Sequence, residues 1–109
     1  MFHMLSSFNL PPTTTESAFR HQLLAFHKLL LAHDLIVATG TLCRRVHHPI
    51  MDTDEDRKQR YSFLMDFRDR EQCDAAVAAL YADRGELASC HQRLWEGVED
   101  AVFSCWETL

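Results

Sequence analysis

The stretch from Arg60 to Leu80, RYSFLMDFRDREQCDAAVAAL, changes its apolar period halfway along. Tyr61, Phe63, Met65 and Phe67 alternate with Ser62, Leu64 and Asp66, the period-2 pattern of a strand with one buried face. Asp69 follows, with Gln72 three residues on, the spacing at which side-chain oxygens satisfy the free N–H groups that open a helix. Cys73, Ala76, Val77 and Leu80 then fall on one helical face, and Gly85 is a natural stop. A strand that runs directly into a capped helix leaves few ways to bury both apolar faces. The helix must fold back onto the sheet to which its strand belongs.

The chain opens in the same way. Phe2–Leu10 reads as a strand, with Phe2, Met4, Ser6, Phe8 and Leu10 on one face and His3, Leu5, Ser7 and Asn9 on the other. Pro11 and Pro12 end it, because proline has no N–H to give to a ladder. A helix is predicted over 14–34, with Thr13 and Glu16 at capping-box spacing. Phe19, Leu23, Phe26 and Leu30 form one narrow stripe at about 100° per residue. Leu24 and Leu31 share a second, mixed face with Arg20, His21 and Lys28, which suggests a contact with another subunit.

Ile36–Val46 is rich in β-branched residues and reads as a second strand, in which Gly40 marks a bulge or a close backbone approach. HHPIMDTDEDRKQR then breaks every period and reads as a long, charged hairpin loop with a mobile tip. After the second helix come a short helix over Glu86–Trp95, with Leu87, Cys90 and Leu94 on one side, and a final strand over Ala101–Thr108.

The order β-α-β, β-α-(α)-β predicts one α+β domain over residues 1–109, a four-stranded antiparallel sheet with its helices on one face. A domain of this length hides roughly two thirds of its unfolded surface, enough for one modest core. The other sheet face carries Leu64 and Trp106. A second copy related by a two-fold axis is the simplest cover for it.

Composition narrows the function classes. A net charge of −5 with scattered basic residues argues against nucleic-acid binding. Cys43, Cys73, Cys90 and Cys105 form no CxxC pair, which removes zinc-ribbon and thioredoxin readings and leaves reduced, buried thiols as the expectation. The longest apolar region, LLAFHKLLLAHDLIVA, is broken by His27, Lys28, His33 and Asp34, so no membrane span is predicted. MFHMLSSFNLPP lacks the basic and apolar regions of a signal peptide, and a cytoplasmic address is expected.

No metal or cofactor is expected. His21, His27 and His33 are spaced so that they point in three directions round a helix, and His47 and His48 are adjacent. Asp52, Asp54 and Asp56 fit the first ligand positions of a calcium loop, but Arg57 stands where glycine is needed and Phe63 where the bidentate glutamate belongs. Cys90 and His91 are helix neighbours whose side chains diverge. Asp66 is different. It lies mid-strand, opposite the aromatic row, and needs a partner if that face is covered. Arg44 or Arg45 in the neighbouring strand is the expected partner. His3, Asp66 and Arg44 are therefore the candidate catalytic residues, and Tyr61, Leu64, Trp95 and Trp106 the candidate pocket walls.

Four segments carry a resemblance: FHMLSSFNL at the start, LCRR at 42–45, YSFLMDFRD at 61–69 and DAAVAAL at 74–80. Together they resemble an uncharacterised bacterial family of the dimeric α/β-barrel superfamily, ferredoxin-like proteins that include Dabb and antibiotic-biosynthesis-monooxygenase-like members. The resemblance implies a homodimer whose two sheets face each other, with pockets near the sheet. It leaves two functions open: a cofactor-independent monooxygenase- or isomerase-like enzyme acting on a small hydrophobic or aromatic metabolite, or a non-catalytic dimeric small-molecule-binding or structural module. An enclosed cavity containing a polar cluster would favour the first. A solidly packed interior with Asp66 paired to arginine would favour the second.

Overall fold

The computed structural model describes residues 1–82 and 84–109. The elements run β1 (Phe2–Asn9), α1 (Glu16–Ala32), β2 (Ala38–Thr39), β3 (Cys43–Arg44), β4 (Tyr61–Phe67), α2 (Arg70–Ala82), α3 (Glu86–Trp95) and β5 (Glu99–Glu107). All strand pairs are antiparallel, in lane order β2/β3, β4, β1, β5. This is the expected α+β plan, with two short strands sharing one edge lane where a single strand was predicted.

The break in that lane has a local cause. The Gly40 amide donates to the Leu64 carbonyl at 2.7 Å, and a Cβ on Gly40 would sit 3.2 Å from that oxygen. The glycine is the close backbone approach that the sequence suggests, and the chain leaves the ladder on either side of it. The loop between β3 and β4 is likewise more organised than a mobile tip. Arg45 Nε and Nη2 donate to both carboxylate oxygens of Asp52 at 2.7 Å, and its remaining donors reach the Asp54 and Arg57 carbonyls. The Arg45 and Asp52 side chains are only 17% and 15% exposed.

The core follows the periodicities. Phe19, Leu23, Phe26 and Leu30 from α1 meet Phe8 from β1 and Phe63, Met65 and Phe67 from β4, with Leu87, Cys90 and Leu94 from α3. Phe8 packs on Phe19 with ring centres 4.8 Å apart and edge-on to Trp95 at 5.4 Å, favourable aromatic geometries. Cys73 and Cys90 are buried as expected; Cys43 and Cys105 are exposed, because β3 and β5 are edge strands with little above them.

Caps define the helix ends. For α2 the expected arrangement forms: Asp69 Oδ1 accepts from the Gln72 amide at 2.8 Å, and Gln72 Oε1 accepts from the Arg68 amide at 2.8 Å. For α1 the predicted Thr13–Glu16 box does not form. Thr15 caps instead, accepting from the Ala18 amide at 3.0 Å, and this frees the Glu16 carboxylate for Arg44 and Tyr61. At the other end the Leu35 amide reaches the Leu30 carbonyl and the Asp34 amide the Leu31 carbonyl, a Schellman closure. Its left-handed residue is Asp34, at φ 53°, where glycine is the relaxed choice. Asp34→Gly should therefore raise stability by roughly 0.5 to 1 kcal/mol. An unchanged or lower urea midpoint would contradict this.

Candidate functional site

The alternation of β1 and β4 sorts the candidate residues onto two faces. On the face away from the helices, His3 pairs in register with Asp66 on one side and Trp106 on the other, and Leu5 lies between Leu64 and Ser104. Leu64, Val102 and Trp106 are 37%, 49% and 61% exposed there, an apolar patch on an uncovered sheet. Two of the three candidate catalytic residues meet on this face. His3 Nδ1 is 2.6 Å from Asp66 Oδ1, and His3 Nε2 is 2.7 Å from Thr108 Oγ1.

Arg44 is not part of this group. Its neighbour in register is Tyr61, on the helix side of the sheet. It donates to Glu16 Oε1 at 3.2 Å, and Tyr61 O–H donates to the same oxygen at 3.1 Å. Arg45 is committed to Asp52. The expected Asp66–arginine pair is thus replaced by Asp66–His3, because side chains alternate: Asp66 points away from the helices while Arg44 points towards them. The four predicted pocket walls separate in the same way. Leu64 and Trp106 lie on the open face, Trp95 ends α3 and packs on Phe63 on the helix side, and Tyr61 lies beside Phe8 and Glu16.

On the helix side the structure contains a cleft that the sequence reading did not assemble. Met4, Met65, Phe67 and Phe103 form its floor; Cys73, Ala76, Val77, Leu80 and Tyr81 of α2 and His91 and Trp95 of α3 form its upper wall; and Phe26 and Leu30 close its back. Its volume is about 310 Å³, within the range of small-molecule sites. The space arises from composition. The DAAVAAL segment gives α2 mostly methyl groups, too short to fill the gap above β1 and β5. Val77, Phe103 and Tyr81 are consequently 42%, 51% and 88% exposed at its mouth.

His91 is the cleft's one imidazole. Its ring lies 5.4 Å from that of Phe26, and burial pushes its pKa below the ordinary histidine value, which favours the neutral form that accepts a proton. Burial likewise raises the Cys73 thiol, so it is a poor nucleophile. The signal for His91 was present in the sequence: it stands four residues from both Leu87 and Trp95, at the border of the apolar stripe of α3. Thr108 also had a signal, since it continues the alternation through Trp106.

Among the described residues no group of three or more His, Cys, Asp or Glu side chains is placed to hold a metal ion, and no helix is long and apolar enough to cross a membrane. The Asp52-to-Asp56 run is occupied internally: Asp54 Oδ1 accepts from the Asp56 and Arg57 amides while Asp52 holds Arg45.

The sequence matches no protein-family model and no curated protein. Solved structures do match over essentially the whole chain. An Arabidopsis thaliana protein, At3g17210, superposes with a TM-score of 0.72 at 8% identity, covering 100% of this chain and 96% of that one. An antibiotic biosynthesis monooxygenase gives 0.60 at 11% identity, covering 100% and 99%. A dimeric ferredoxin-like protein of unknown function from Jannaschia sp. gives 0.61 at 15% identity, covering 98% of each chain. A Dabb family protein is also among the neighbours. At these identities the likeness establishes the fold. It is ferredoxin-like, the fold shared by the Dabb and monooxygenase-like proteins that the four sequence segments resemble.

Arg45 holds the Asp52 carboxyl down, chiefly through its hydrogen bonds, to a pKa of about 2 from an ordinary 3.8. A depressed carboxylate contributes stability that is present above the ordinary value and lost as pH falls towards the folded one. The β3–β4 loop should therefore stay clasped at pH 4 and loosen as pH approaches 2. A carboxyl carbon NMR titration of Asp52 with a midpoint near 4 would show that the clasp does not form. Arg45→Met should move that midpoint up.

Proposed function

We propose that this protein is a homodimer that takes a small, flat, largely apolar ligand into the cleft between its sheet and α2–α3, with His91 as acceptor for a proton of that ligand. The observation that carries this reading is the 310 Å³ apolar cleft with a partly buried imidazole in its wall. Apolar and aromatic surfaces supply most of the affinity in such sites, and one placed polar group orients the ligand. A base whose partial burial favours its neutral form is also suited to accept a proton from such a ligand. The cleft offers room for a ligand, which favours the two ligand-binding readings, enzyme and small-molecule-binding module, over a purely structural module. One structural neighbour is described as an antibiotic biosynthesis monooxygenase, which agrees in class and does not specify the reaction.

The dimer rests on the other face. Leu5, Leu64, Val102 and Trp106 present adjoining apolar side chains, and a second copy covers them without leaving either sheet bare. Two of the structural neighbours are described as dimeric.

1-Naphthol is a suitable probe for the cleft, being flat, apolar and armed with one acidic hydroxyl. In a titration followed by NMR, the expected shifts fall on the His91 ring, the Trp95 indole and the Met4 and Met65 methyls. Val77→Trp, which fills the mouth, should weaken binding roughly tenfold or more through overpacking. Shifts confined to Trp106 and Leu64 would place the ligand on the open face and overturn the cleft reading.

For the assembly, sedimentation should give a dimer for the wild type and a monomer for Leu64→Arg, because a buried, unpaired guanidinium is not tolerated in an apolar interface. A Leu64→Arg dimer of unchanged stability would exclude the sheet-to-sheet arrangement.

A further inference from the structure

Ser6 carries a fully buried hydroxyl that has no hydrogen-bond partner among the described residues. Such a hydroxyl has lost its water and gained nothing in return, whereas alanine would fill the same space among phenylalanines without that cost. The backbone beside it is taken up by two ladders. β1 lies between β4 and β5, and Ser6 is paired in register with Phe63 on one side and Phe103 on the other. A buried polar group left in this state calls for an explanation, and a ligand that reaches it is one.

The alternation of β1 turns Ser6 to the helix side together with Met4, which forms part of the cleft floor. The Trp95 indole touches both rings that flank Ser6. It stacks on Phe63 with ring centres 5.9 Å apart and stands edge-on to Phe103 at 5.3 Å, and so roofs the hydroxyl. Trp95 and Phe103 both line the cleft, which puts Ser6 one aromatic layer behind its wall. That layer is open to movement. β5 is an edge strand and Phe103 is 51% exposed, so turning its ring outward costs the contact with Trp95 and uncovers Ser6 from the cleft. The cleft then runs from His91, about one helical turn before Trp95 on α3, down to Ser6 on the sheet. The whole path lies on the helix side, out of reach of a second copy that covers the open face.

We propose that Ser6 is a hidden anchor of the cleft: ligand entry turns Phe103 outward, and Ser6 Oγ donates a hydrogen bond to an acceptor oxygen at the ligand's far end. The inference rests on the cleft reading and adds to it the chemistry of that second end. His91 accepts the acidic proton at one end of the ligand, and a carbonyl-type oxygen lies at the other. Where an aromatic ring conjugates the two, the electron pair left behind by the proton spreads onto the carbonyl oxygen. A donor already placed there holds the developing charge. The proton ends on the imidazole, and no other bond forms or breaks.

Two probes of matched shape separate the parts. 4-Hydroxyacetophenone carries both groups, and 4-ethylphenol lacks the carbonyl oxygen. Each is titrated into the wild type and into Ser6→Ala, with the His91, Trp95 and Phe103 rings read by NMR. Ser6→Ala should weaken 4-hydroxyacetophenone roughly tenfold, the scale of one hydrogen bond to a partly charged oxygen, and change 4-ethylphenol by less than about twofold. In the wild type, 4-hydroxyacetophenone should shift the Phe103 ring more than 4-ethylphenol does. Without ligand, Ser6→Ala should melt at the wild-type temperature or above, since it removes a buried hydroxyl that has no partner. Equal loss for both probes, or no loss for either, would overturn the Ser6 assignment and leave the cleft reading standing. A lower melting temperature for Ser6→Ala would overturn it as well, by showing that the hydroxyl already has a partner in the free protein. If neither probe shifts His91 or Trp95, the cleft reading falls and the anchor falls with it.

Discussion

β1 lies between β4 and β5, so every side chain it carries has neighbours on both flanks, and its alternation decides what each face of the sheet becomes. Phe8 points towards the helices and is enclosed by Phe19, Phe63 and Trp95. His3 and Leu5 point the other way and meet Asp66 and Leu64. A slip of one residue in the β1–β4 register would exchange these sets, placing a histidine in the aromatic core and a phenylalanine among the polar groups. The buried aromatic cluster therefore holds the register, and the register places both candidate sites.

That core is not evenly filled. α1 brings phenylalanines and leucines to the sheet and seals it, whereas α2 brings mostly alanines. The difference leaves a cleft over β1 and β5. A tighter second helix would gain packing energy, since filling a void of this kind recovers dispersion contacts and apolar burial. The present sequence forgoes that gain, and it keeps an imidazole in the wall where a hydrophobe would pack as well. Ser6 adds to the pattern. It is fully buried beside this region, and its hydroxyl has no hydrogen-bond partner among the described residues. Unfilled space and imperfectly satisfied polarity both reduce stability, and such features collect where a chain must do something besides fold.

Much of this was legible in the sequence, and what was legible was local. The stripe of α1 came out as read because Phe19, Leu23, Phe26 and Leu30 repeat within one helix. So did the Asp69–Gln72 cap and the apolar side of α3. The misses share a different character. The N-terminal cap moved from Thr13 to Thr15 because three threonines in a row offer the same hydroxyl at adjacent positions. The charged loop read as mobile because nothing local shows that Arg45 turns back into it. His3 and Asp66 could be nominated singly, but their contact depends on the β1–β4 register across 63 positions, and Arg44 was the more obvious partner until alternation placed it on the other face. The cleft was least visible of all, since it is an absence of volume produced jointly by three helices and three strands.

The two faces of the sheet give its histidines different surroundings. A single layer of backbone separates them, yet their side chains never share a face. His91 borders apolar surroundings, and its partial burial favours the neutral form. His3 is held at both ring nitrogens, by Asp66 and by Thr108. The first imidazole is suited to accept a proton within a largely apolar cleft. Covering the apolar part of the open face with a second copy would leave the cleft mouth, on the opposite side of the sheet, free to admit a ligand. A second copy on one face and a ligand on the other would therefore make separate demands on one sheet, which the alternation of β1 and β4 keeps apart.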